Sequence, residues 1–413
     1  MRLRPTPRGI ALGIAGIVAL QLGVVLGAVD LVRIGTLTLL LVVGAAVAVG
    51  VLDPGRGKHR LSVQRHAVPN PVHAGEEAQI EVVITATDPA ARVRLAGLKF
   101  AEQAATELSG GRPLRARVTR APRRVTVTYS VQAARRGRWP LGPLVVTRGD
   151  PFGVVRTSAT LGEQAEVSVW PAVVPLPTPS DVLVGEPDRV ALGARSPSTD
   201  DASLRDYREG DDLRRVHWSS SARKGALMVR SDERAGMRPV SVLLDLPARA
   251  TSLEWSISLA ASMSLAMLDG GHPVRLVSGG TPAASPLAFV HDRSGPGARS
   301  ALLDRTIDLE APRSAVQGEI ALVAAAHLLH TTEAGGEIVL AVLGPLGASA
   351  RAALAHVADA ALAWAVVRAD TPAQEAEAEH TIKALRRAGW RACRVTPGEP
   401  VVDCWLRLLG SAQ

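Results

Sequence analysis

The sequence predicts a multidomain protein with three parts: an N-terminal hairpin of two transmembrane helices, an antiparallel β-sandwich, and a C-terminal α/β domain with a doubly wound, mainly parallel sheet. Two long uncharged runs near the N-terminus predict the hairpin. Alternating β-branched and polar residues predict the sandwich, and short apolar runs between helical segments predict the α/β domain. A length of 413 residues, at about 150 residues per domain, agrees with two or three folding units.

The first fifty residues predict a membrane anchor. Residues 9–29 and 34–52 carry no charged side chain, and each run matches the roughly 20 apolar residues that cross a bilayer as a helix. Residues 30–33 between the runs have no net charge, whereas basic residues precede the first run and follow the second: Arg2, Arg4, Arg8, Arg56, Lys58 and Arg60. Because positive charge marks cytoplasmic ends, the hairpin over 1–53 should leave the bulk of the chain in the cytoplasm, at the inner (plasma) membrane.

A cleaved signal peptide is the alternative explanation of the first apolar run. Signal peptides have apolar cores of about 7 to 15 residues, and the run here is 21 residues long and is followed at once by a second run. The sequence therefore favours a multi-pass anchor.

The next segment, residues 60–172, is predicted to be an antiparallel, immunoglobulin-like β-sandwich. Apolar residues alternate with Thr and Ser over 124–132, which is the period of a half-buried strand. Nine arginines and no acidic residue lie within 111–140. This stretch either attracts anionic lipid headgroups or forms a solvated face of the sheet. Nucleic acid is not expected as a partner, because only Tyr129 and Trp139 in that stretch could stack on bases.

Composition and motifs exclude several classes of protein. Two cysteines, Cys393 and Cys404, cannot form a disulfide framework or a zinc or iron–sulfur site by themselves, and we expect both to be reduced core residues. The chain contains no phosphate-binding loop, dinucleotide-binding turn or zinc-protease helix motif. The sequence therefore predicts no metal and no cofactor.

A Pro-rich linker over 173–199 and an α/β domain over 238–413 complete the predicted organisation. Short buried strands alternate with helical segments in this domain, which is typical of a doubly wound sheet. The predicted strands are 239–246, 272–278, 337–343, 361–367 and 391–395. In such folds, ligands bind at the carboxyl ends of the strands.

A charged segment, residues 200–234, lies between the linker and the α/β domain. It contains 16 charged side chains, eight of each sign, which indicates pairing between arginines and carboxylates. Asp211, Asp212, His217 and Ser221 suggest a hydrolase site, since a serine nucleophile needs a base and an orienting acid. These residues all lie within eleven consecutive positions, without a nucleophile elbow or an oxyanion loop. The sequence therefore favours a structural or partner-binding network over catalysis.

The same segment resembles the signature of the domain of unknown function 58 family. The residues that carry the resemblance, or lie within it, are Tyr207, Gly210, Asp211, Asp212, Arg214, His217, Trp218, Ser221, Arg223 and Arg230. Supporting likeness lies upstream at 136–143 and 150–153. The resemblance implies a membrane-anchored protein with a von Willebrand factor A-like C-terminal domain. It also implies two kinds of partner, a MoxR-type AAA+ ATPase and a transglutaminase-like membrane protein.

The predicted metal loop of the von Willebrand factor A-like domain departs from that family's pattern. An Asp-x-Ser-x-Ser loop after the first strand binds a hard cation through one carboxylate and two hydroxyls. Here the loop runs from Asp245 to Arg249, with Pro247 and Arg249 in place of the serines. We therefore expect no divalent metal at Asp245, which remains available as an anchor for a partner's Arg or Lys.

These observations predict a membrane-anchored, non-enzymatic adaptor or scaffold that recruits cytoplasmic partners, with a MoxR-type ATPase as the candidate. The alternative is a hydrolase centred on Asp211, Asp212, His217 and Ser221. The two hypotheses differ in geometry: a Ser–His hydrogen bond in an open cleft favours the enzyme, whereas pairing between Arg and carboxylate side chains favours the adaptor.

Overall fold

A computed structural model describes residues 2–53, 55, 58, 61–111, 114–178, 204–206, 221–222, 225–226, 228–230, 238–279, 289–291, 297–331 and 337–410. The chain divides into two compact units, Met1–Trp170 and Pro171–Gln413. Each unit has its own hydrophobic core, so each is described by itself.

The first unit begins with two helices that are long and apolar enough to cross a membrane, α1 (Pro7–Val25) and α2 (Val29–Val51). Most of their apolar side chains are exposed, as expected of surfaces that face lipid. Residues 30–33, which separate the two uncharged runs of the sequence, form the first turn of α2, where Asp30 and Arg33 form an ion pair with a nitrogen–oxygen distance of 3.3 Å. Pairing at i and i+3 on one helix face allows both charges to lie within the helix.

Glycines bring α1 and α2 close together. A Cβ atom built on Gly23 would lie 2.7 Å from the backbone nitrogen of Val32, and one built on Gly35 would lie 2.7 Å from that of Leu20. Larger residues at either position would force the helix backbones apart. The hairpin therefore packs through small residues, as many membrane helices do.

Among its described residues, the first unit also contains ten strands and two short helices. The strands are β1 (Arg2–Pro5), β2 (Leu61–Val68), β3 (Val72–His73), β4 (Glu77–Ala86), β5 (Lys99–Ala104), β6 (Arg117–Ala121), β7 (Arg124–Gln132), β8 (Gly137–Gly149), β9 (Val155–Leu161) and β10 (Ala165–Trp170). The helices are α3 (Pro89–Leu95) and α4 (Thr106–Ser109).

These strands form two sheets that share one core. One sheet has the order β1-β9-β8-β10-β3, with β5 also paired to β8, and the other has the order β2-β4-β7-β6. All pairs are antiparallel except β10 with β3. Alternate residues of β7 and β8, including Val127, Tyr129, Leu144 and Val146, are buried in the same cluster. The alternation over 124–132 thus produces a strand with one buried face.

The second unit contains a five-stranded parallel sheet with helices on both faces. Its strands are β13 (Val240–Leu244), β14 (Val274–Ser278), β15 (Ile338–Leu343), β16 (Leu362–Arg368) and β17 (Arg391–Val395). Its helices are α5 (Ala250–Asp269), α6 (Gly297–Ile307), α7 (Ala315–Thr331), α8 (Ala348–Ala360), α9 (Glu375–Arg387) and α10 (Val401–Gly410). A 3-10 turn at Pro372–Gln374 precedes α9. Two further strands, β11 (Leu204–Asp206) and β12 (Met228–Arg230), pair antiparallel with each other.

Nearly every residue of the central strands is buried, because both sheet faces are covered. Residues of α5, α6 and α10 share a cluster with Val242 and Leu244 of β13. Residues of α7, α8 and α9 share a second cluster with Leu243, which points to the opposite face. The short buried runs in the sequence therefore form the core strands of an α/β layer structure.

The strand order β14-β13-β15-β16-β17 contains a switch point. The chain moves from β13 to β14 on one side and then returns to place β15 on the other side of β13. Loops that follow β13 and β15 consequently diverge and leave a crevice at the carboxyl ends of these strands, where open α/β sheets bind their ligands.

The described start of the predicted linker packs against the second unit. Ser258 Oγ on α5 donates to the carbonyl of Ala172 at 2.6 Å, and the amide of Val174 donates to Ser262 Oγ at 3.0 Å. Trp405 Nε1 on α10 donates to the carbonyl of Pro177 at 2.9 Å. Residues 172–177 are therefore part of the α/β unit rather than a free spacer.

Candidate functional site

A crevice with a volume of about 440 Å³ lies at the switch point of the parallel sheet. Three loops line it, and they follow β13 (245–249), β15 (344–347) and β16 (370–371), together with Arg368 at the end of β16. Residues of α7 complete the wall on one side. The crevice therefore occupies the position that the predicted fold assigns to a ligand.

Asp245 lies in this crevice, directly after β13, and is bound by Arg368 at the end of β16. Arg368 Nη2 donates to Asp245 Oδ2 at 2.9 Å, and Arg368 Nη1 donates to the Asp245 carbonyl at 3.0 Å. The amide of Gly344 donates to the same Oδ2 at 2.9 Å. The Arg368 side chain is only 4% exposed, and that of Asp245 is 15% exposed. Asp245 is therefore already paired within the chain.

Glycine at position 344 is required by this pair. A Cβ atom built on Gly344 would lie 2.9 Å from Arg368 Nη2 and 3.1 Å from Asp245 Oδ2. The loop after β15 can thus approach the ion pair closely enough to donate its amide only without a side chain.

A second layer of contacts holds the loop after β16. Arg368 Nε lies 3.4 Å from Asp370 Oδ1, and the amide of Asp370 donates to Gln374 Oε1 at 3.2 Å. Arg249 Nη1 donates to the carbonyl of Asp370 at 2.8 Å. Arg249, which the sequence placed as a cation beside the metal position, thus extends across the crevice to the neighbouring loop.

Glu319 on α7 forms the acidic side of the crevice. Its carboxylate lies against Gly347, the residue that caps the N-terminus of α8, so closely that a Cβ atom on Gly347 would overlap it. A carboxylate at a helix N-terminus interacts favourably with the exposed amides and the helix dipole. Glu319 is partly exposed, so it adds negative charge to the rim.

The donor set at Asp245 does not fit a divalent cation. Pro247 and Arg249 supply no oxygen ligand, and the Arg368 guanidinium lies beside the carboxylate that would have to bind the metal. Among the described residues, no group of three or more His, Cys, Asp or Glu side chains could hold a metal ion.

Most residues of the charged signature lie outside the described part of the chain: Tyr207, Gly210, Asp211, Asp212, Arg214, His217, Trp218 and Arg223. Ser221 is described and is buried, and its carbonyl accepts from the amide of Gly225 at 2.9 Å. Arg230 ends β12 opposite Leu204 of β11. Strand pairing therefore holds Arg230, the last residue of the signature, beside Leu204, which lies three residues before its start.

The sequence points to Asp245 but not to Arg368, Asp370 or Glu319 as residues of the site. Arg368 had a detectable signal, because it is the one charged residue of the run Leu362–Arg368, at the carboxyl end of a buried strand. Glu319 gave no such signal, since acidic residues on exposed helix faces are common.

A buried polar cluster at the opposite, amino-terminal end of the sheet was also missed. Arg275 Nη2 donates to Glu337 Oε1 at 3.0 Å, and Arg275 Nε donates to Ser241 Oγ at 2.5 Å. All three side chains are at most 4% exposed. The cluster connects the amino-terminal ends of β13, β14 and β15 through buried hydrogen bonds and an ion pair, which stabilise the sheet.

Comparison with known proteins identifies a family for part of the chain. Residues 203–321 match the family described as protein of unknown function DUF58. No curated protein matches the chain. A solved structure of a mutant PilB minor pilin from Streptococcus sanguinis is similar over 87% of this chain and 88% of that chain, with 10% identity and a TM-score of 0.29, which is too low to support any argument about fold or function.

The matched residues include the whole signature from Tyr207 to Arg230 and extend through the crevice residues Asp245 and Glu319. Residues 203–321 therefore match the domain of unknown function 58 family, which agrees with the resemblance of the charged segment.

Proposed function

We propose that the chain is a membrane-anchored, non-enzymatic adaptor that recruits cytoplasmic protein partners through the crevice at the switch point. The proposal includes a plasma-membrane hairpin with the bulk of the chain in the cytoplasm. It also assigns the two sheets of the first unit to an immunoglobulin-like sandwich and the second unit to a von Willebrand factor A-like fold. By family resemblance, the partner is a MoxR-type AAA+ ATPase, with a transglutaminase-like membrane protein as a second candidate.

The observation that carries the proposal is the chemistry of the crevice. Its buried charges, Asp245 and Arg368, neutralise each other, and its described lining contains no Ser, Cys, His, Lys or Tyr. A catalytic pocket normally brings a nucleophile and a base together. Here Thr371 is the one hydroxyl of the described lining, the Asp370 carboxylate lies 3.4 Å from Arg368 Nε, and the Glu319 carboxylate lies against Gly347. The crevice instead has a rim of mixed charge, with Arg249 and Glu319 on different walls.

Such a rim suits a protein partner. Charged residues at the edge of an interface orient the partner and raise the association rate, while the partly apolar floor is available for burial. Arg249 is exposed and Glu319 is partly exposed, so both side chains can contact a docked segment. The hydrolase hypothesis stays a prediction, because Asp211, Asp212 and His217 lie outside the described residues.

Co-purification from detergent-solubilised membranes tests the proposal. We would compare the wild type with Arg249→Glu, and use Lys383→Glu on α9 as the control, because Lys383 is an exposed cation that does not line the crevice. All proteins would be matched for abundance and thermal stability. An ATPase captured by the wild type and by Lys383→Glu, but not by Arg249→Glu, would support docking in the crevice.

Two results would contradict the proposal. If Arg249→Glu captures as much partner as the wild type, the crevice is not part of the interface. If the wild type captures no partner, the adaptor proposal is wrong. A parallel sample with Asp211→Ala and Asp212→Ala distinguishes the roles of the signature segment. If the variant folds but no longer binds the partner, the segment is a docking surface. If the variant is unfolded or absent, the segment is needed for stability.

A further inference from the structure

The turn between β8 and β9 lies directly at the cytoplasmic end of the membrane hairpin. The amide of Thr6 donates to the carbonyl of Val154 at 2.9 Å, and Thr6 Oγ1 donates to that of Gly153 at 2.5 Å. The same hydroxyl accepts from the amide of Gly9 at 3.1 Å and so caps α1. One threonine therefore joins the start of the first membrane helix to the turn.

The end of the second membrane helix is fixed to the same strand. Asp53, which is 3% exposed, accepts from Thr157 Oγ1 of β9 at 3.3 Å. Ala45 of α2 packs in a small cluster with Val154 and Val155. The residues before α1 also pair with β9 as strand β1. The sheets of the first unit are thus fastened to both helices rather than joined to them by a flexible tether.

The turn itself is held in one conformation. Asp150 Oδ1 accepts from the amide of Phe152 at 2.8 Å, and Oδ2 accepts from that of Val155 at 2.6 Å. Gly153 has a φ of 69°, which glycine adopts without strain. These contacts hold Phe152 on the outside of the turn, where it is 60% exposed.

Three basic residues lie on the elements that adjoin this turn. Arg4 on β1 pairs in register with Arg156 on β9, and Arg8 lies in the first turn of α1. All three arginines are exposed. An exposed aromatic residue beside several cations, at the end of a membrane helix, matches the headgroup region of an anionic bilayer, where apolar rings insert and cations bind phosphate.

We propose that Phe152 inserts into the bilayer interface while Arg4, Arg8 and Arg156 bind lipid phosphates, so that the first unit sits on the membrane in a fixed orientation. This inference rests on the proposed membrane anchoring. It assigns a function to the Asp150–Gly153 turn, and it makes the bilayer a second contact surface of the chain.

Site-specific labelling of the full-length chain tests this inference. Phe152→Cys would be labelled with a polarity-sensitive fluorophore in nanodiscs made of equal parts phosphatidylglycerol and phosphatidylcholine, because the native Cys393 and Cys404 are buried. Val68→Cys is the matched control, since Val68 is also exposed but lies at the far end of β2. Leu40→Cys, in the middle of α2 and 66% exposed, reports insertion of the hairpin.

The expected result is a blue-shifted emission at position 152 that brominated lipids quench strongly, a fully quenched signal at position 40, and no quenching at position 68. Quenching at 40 without quenching at 152 would overturn the inference and leave the membrane anchor standing. Absence of quenching at 40 would overturn the anchor and the inference together. If quenching at position 152 is as strong in discs of phosphatidylcholine alone, the arginines do not contribute to the inferred contact through anionic lipid.

Discussion

Arg368 binds Asp245 through two atoms at once, since one guanidinium nitrogen contacts the carboxylate at 2.9 Å and the other contacts the backbone carbonyl at 3.0 Å. These residues are separated by 123 positions in the sequence. The pair links the ends of β13 and β16 across β15, and thereby fixes the shape of the crevice floor.

Removing one member of this pair should destabilise the second unit. Breaking a buried ion pair costs about 3–5 kcal/mol, because the remaining charge loses its partner. We therefore expect Arg368→Met and Asp245→Asn each to lower stability, and the double variant to cost clearly less than the sum. A double-mutant cycle on amide exchange of β13 and β15 measures this coupling. Additive costs would show that the two side chains do not stabilise each other.

Divalent cations should leave the stability of the wild type unchanged. The Arg368 guanidinium already neutralises Asp245, and Pro247 and Arg249 provide no oxygen ligand. A ligand that binds only the folded state raises stability in proportion to the logarithm of its concentration. We therefore expect thermal unfolding curves recorded with and without millimolar Mg²⁺ to superimpose. A midpoint that rises steadily with Mg²⁺ would contradict this expectation and place a metal site in the chain.

Substitution of Gly9 should loosen the junction between the N-terminal helical hairpin and the sheets. A Cβ atom at Gly9 would overlap the carbonyl of Val154, which is backbone and cannot move aside by changing rotamer. Gly13 has no atom within 4 Å of such a Cβ, so it provides a matched control one helical turn away. Gly9→Val should speed amide exchange across β9, with a cost of roughly 1–3 kcal/mol, and Gly13→Val should not. The same exchange rates in both variants would argue against the close contact.

The sequence indicates local features, such as individual strands, better than contacts between distant residues. The alternation over 124–132 defined β7, and the buried runs defined the parallel strands, because periodicity depends on neighbouring residues alone. Strand β1 was missed, since it pairs with β9 about 150 residues later and nothing in its own sequence indicates this partner. Arg368 stands out as the one charged residue of its buried strand, but its partner Asp245 lies 123 positions away and local sequence does not indicate it. The sequence indicated that ligands bind at the carboxyl ends of the strands, but the switch point and the ion pair within the crevice depended on the strand order and the register of β16.

The two cysteines should be inert in the folded chain. Burial raises the pKa of Cys393 to about 11, and burial followed by the negative charge of Glu399 raises the pKa of Cys404 to about 12. The reactive thiolate is therefore almost absent at pH 8. We expect iodoacetamide to modify neither thiol at this pH until denaturant is added, when both should react, as counted by mass spectrometry. Rapid modification of the native chain would show that β17, which contains Cys393, or α10, which contains Cys404, opens readily.

Glu102 should make the first unit less stable as the pH rises. Burial raises the pKa of Glu102 above its ordinary value of 4.5, against the opposing effect of Arg65, whose Nε lies 2.9 Å from the carboxylate. A group whose pKa is higher in the folded state holds its proton more tightly there. Its contribution to stability is therefore complete below pH 4.5 and is lost as the pH rises through the folded pKa.

Glu102→Gln removes this titration while keeping an oxygen that can accept from Arg65. We expect the stability of the wild type, relative to this variant, to fall as the pH rises above 4.5 and through the folded pKa of Glu102. Amide exchange of β2, β4 and β7, corrected for the intrinsic pH dependence of exchange, measures the difference. The opposite slope would mean that the attraction of Arg65 outweighs burial, and that the pair stabilises the sheets most when Glu102 is charged. The sign of the slope thus decides which of the two effects dominates at this buried ion pair.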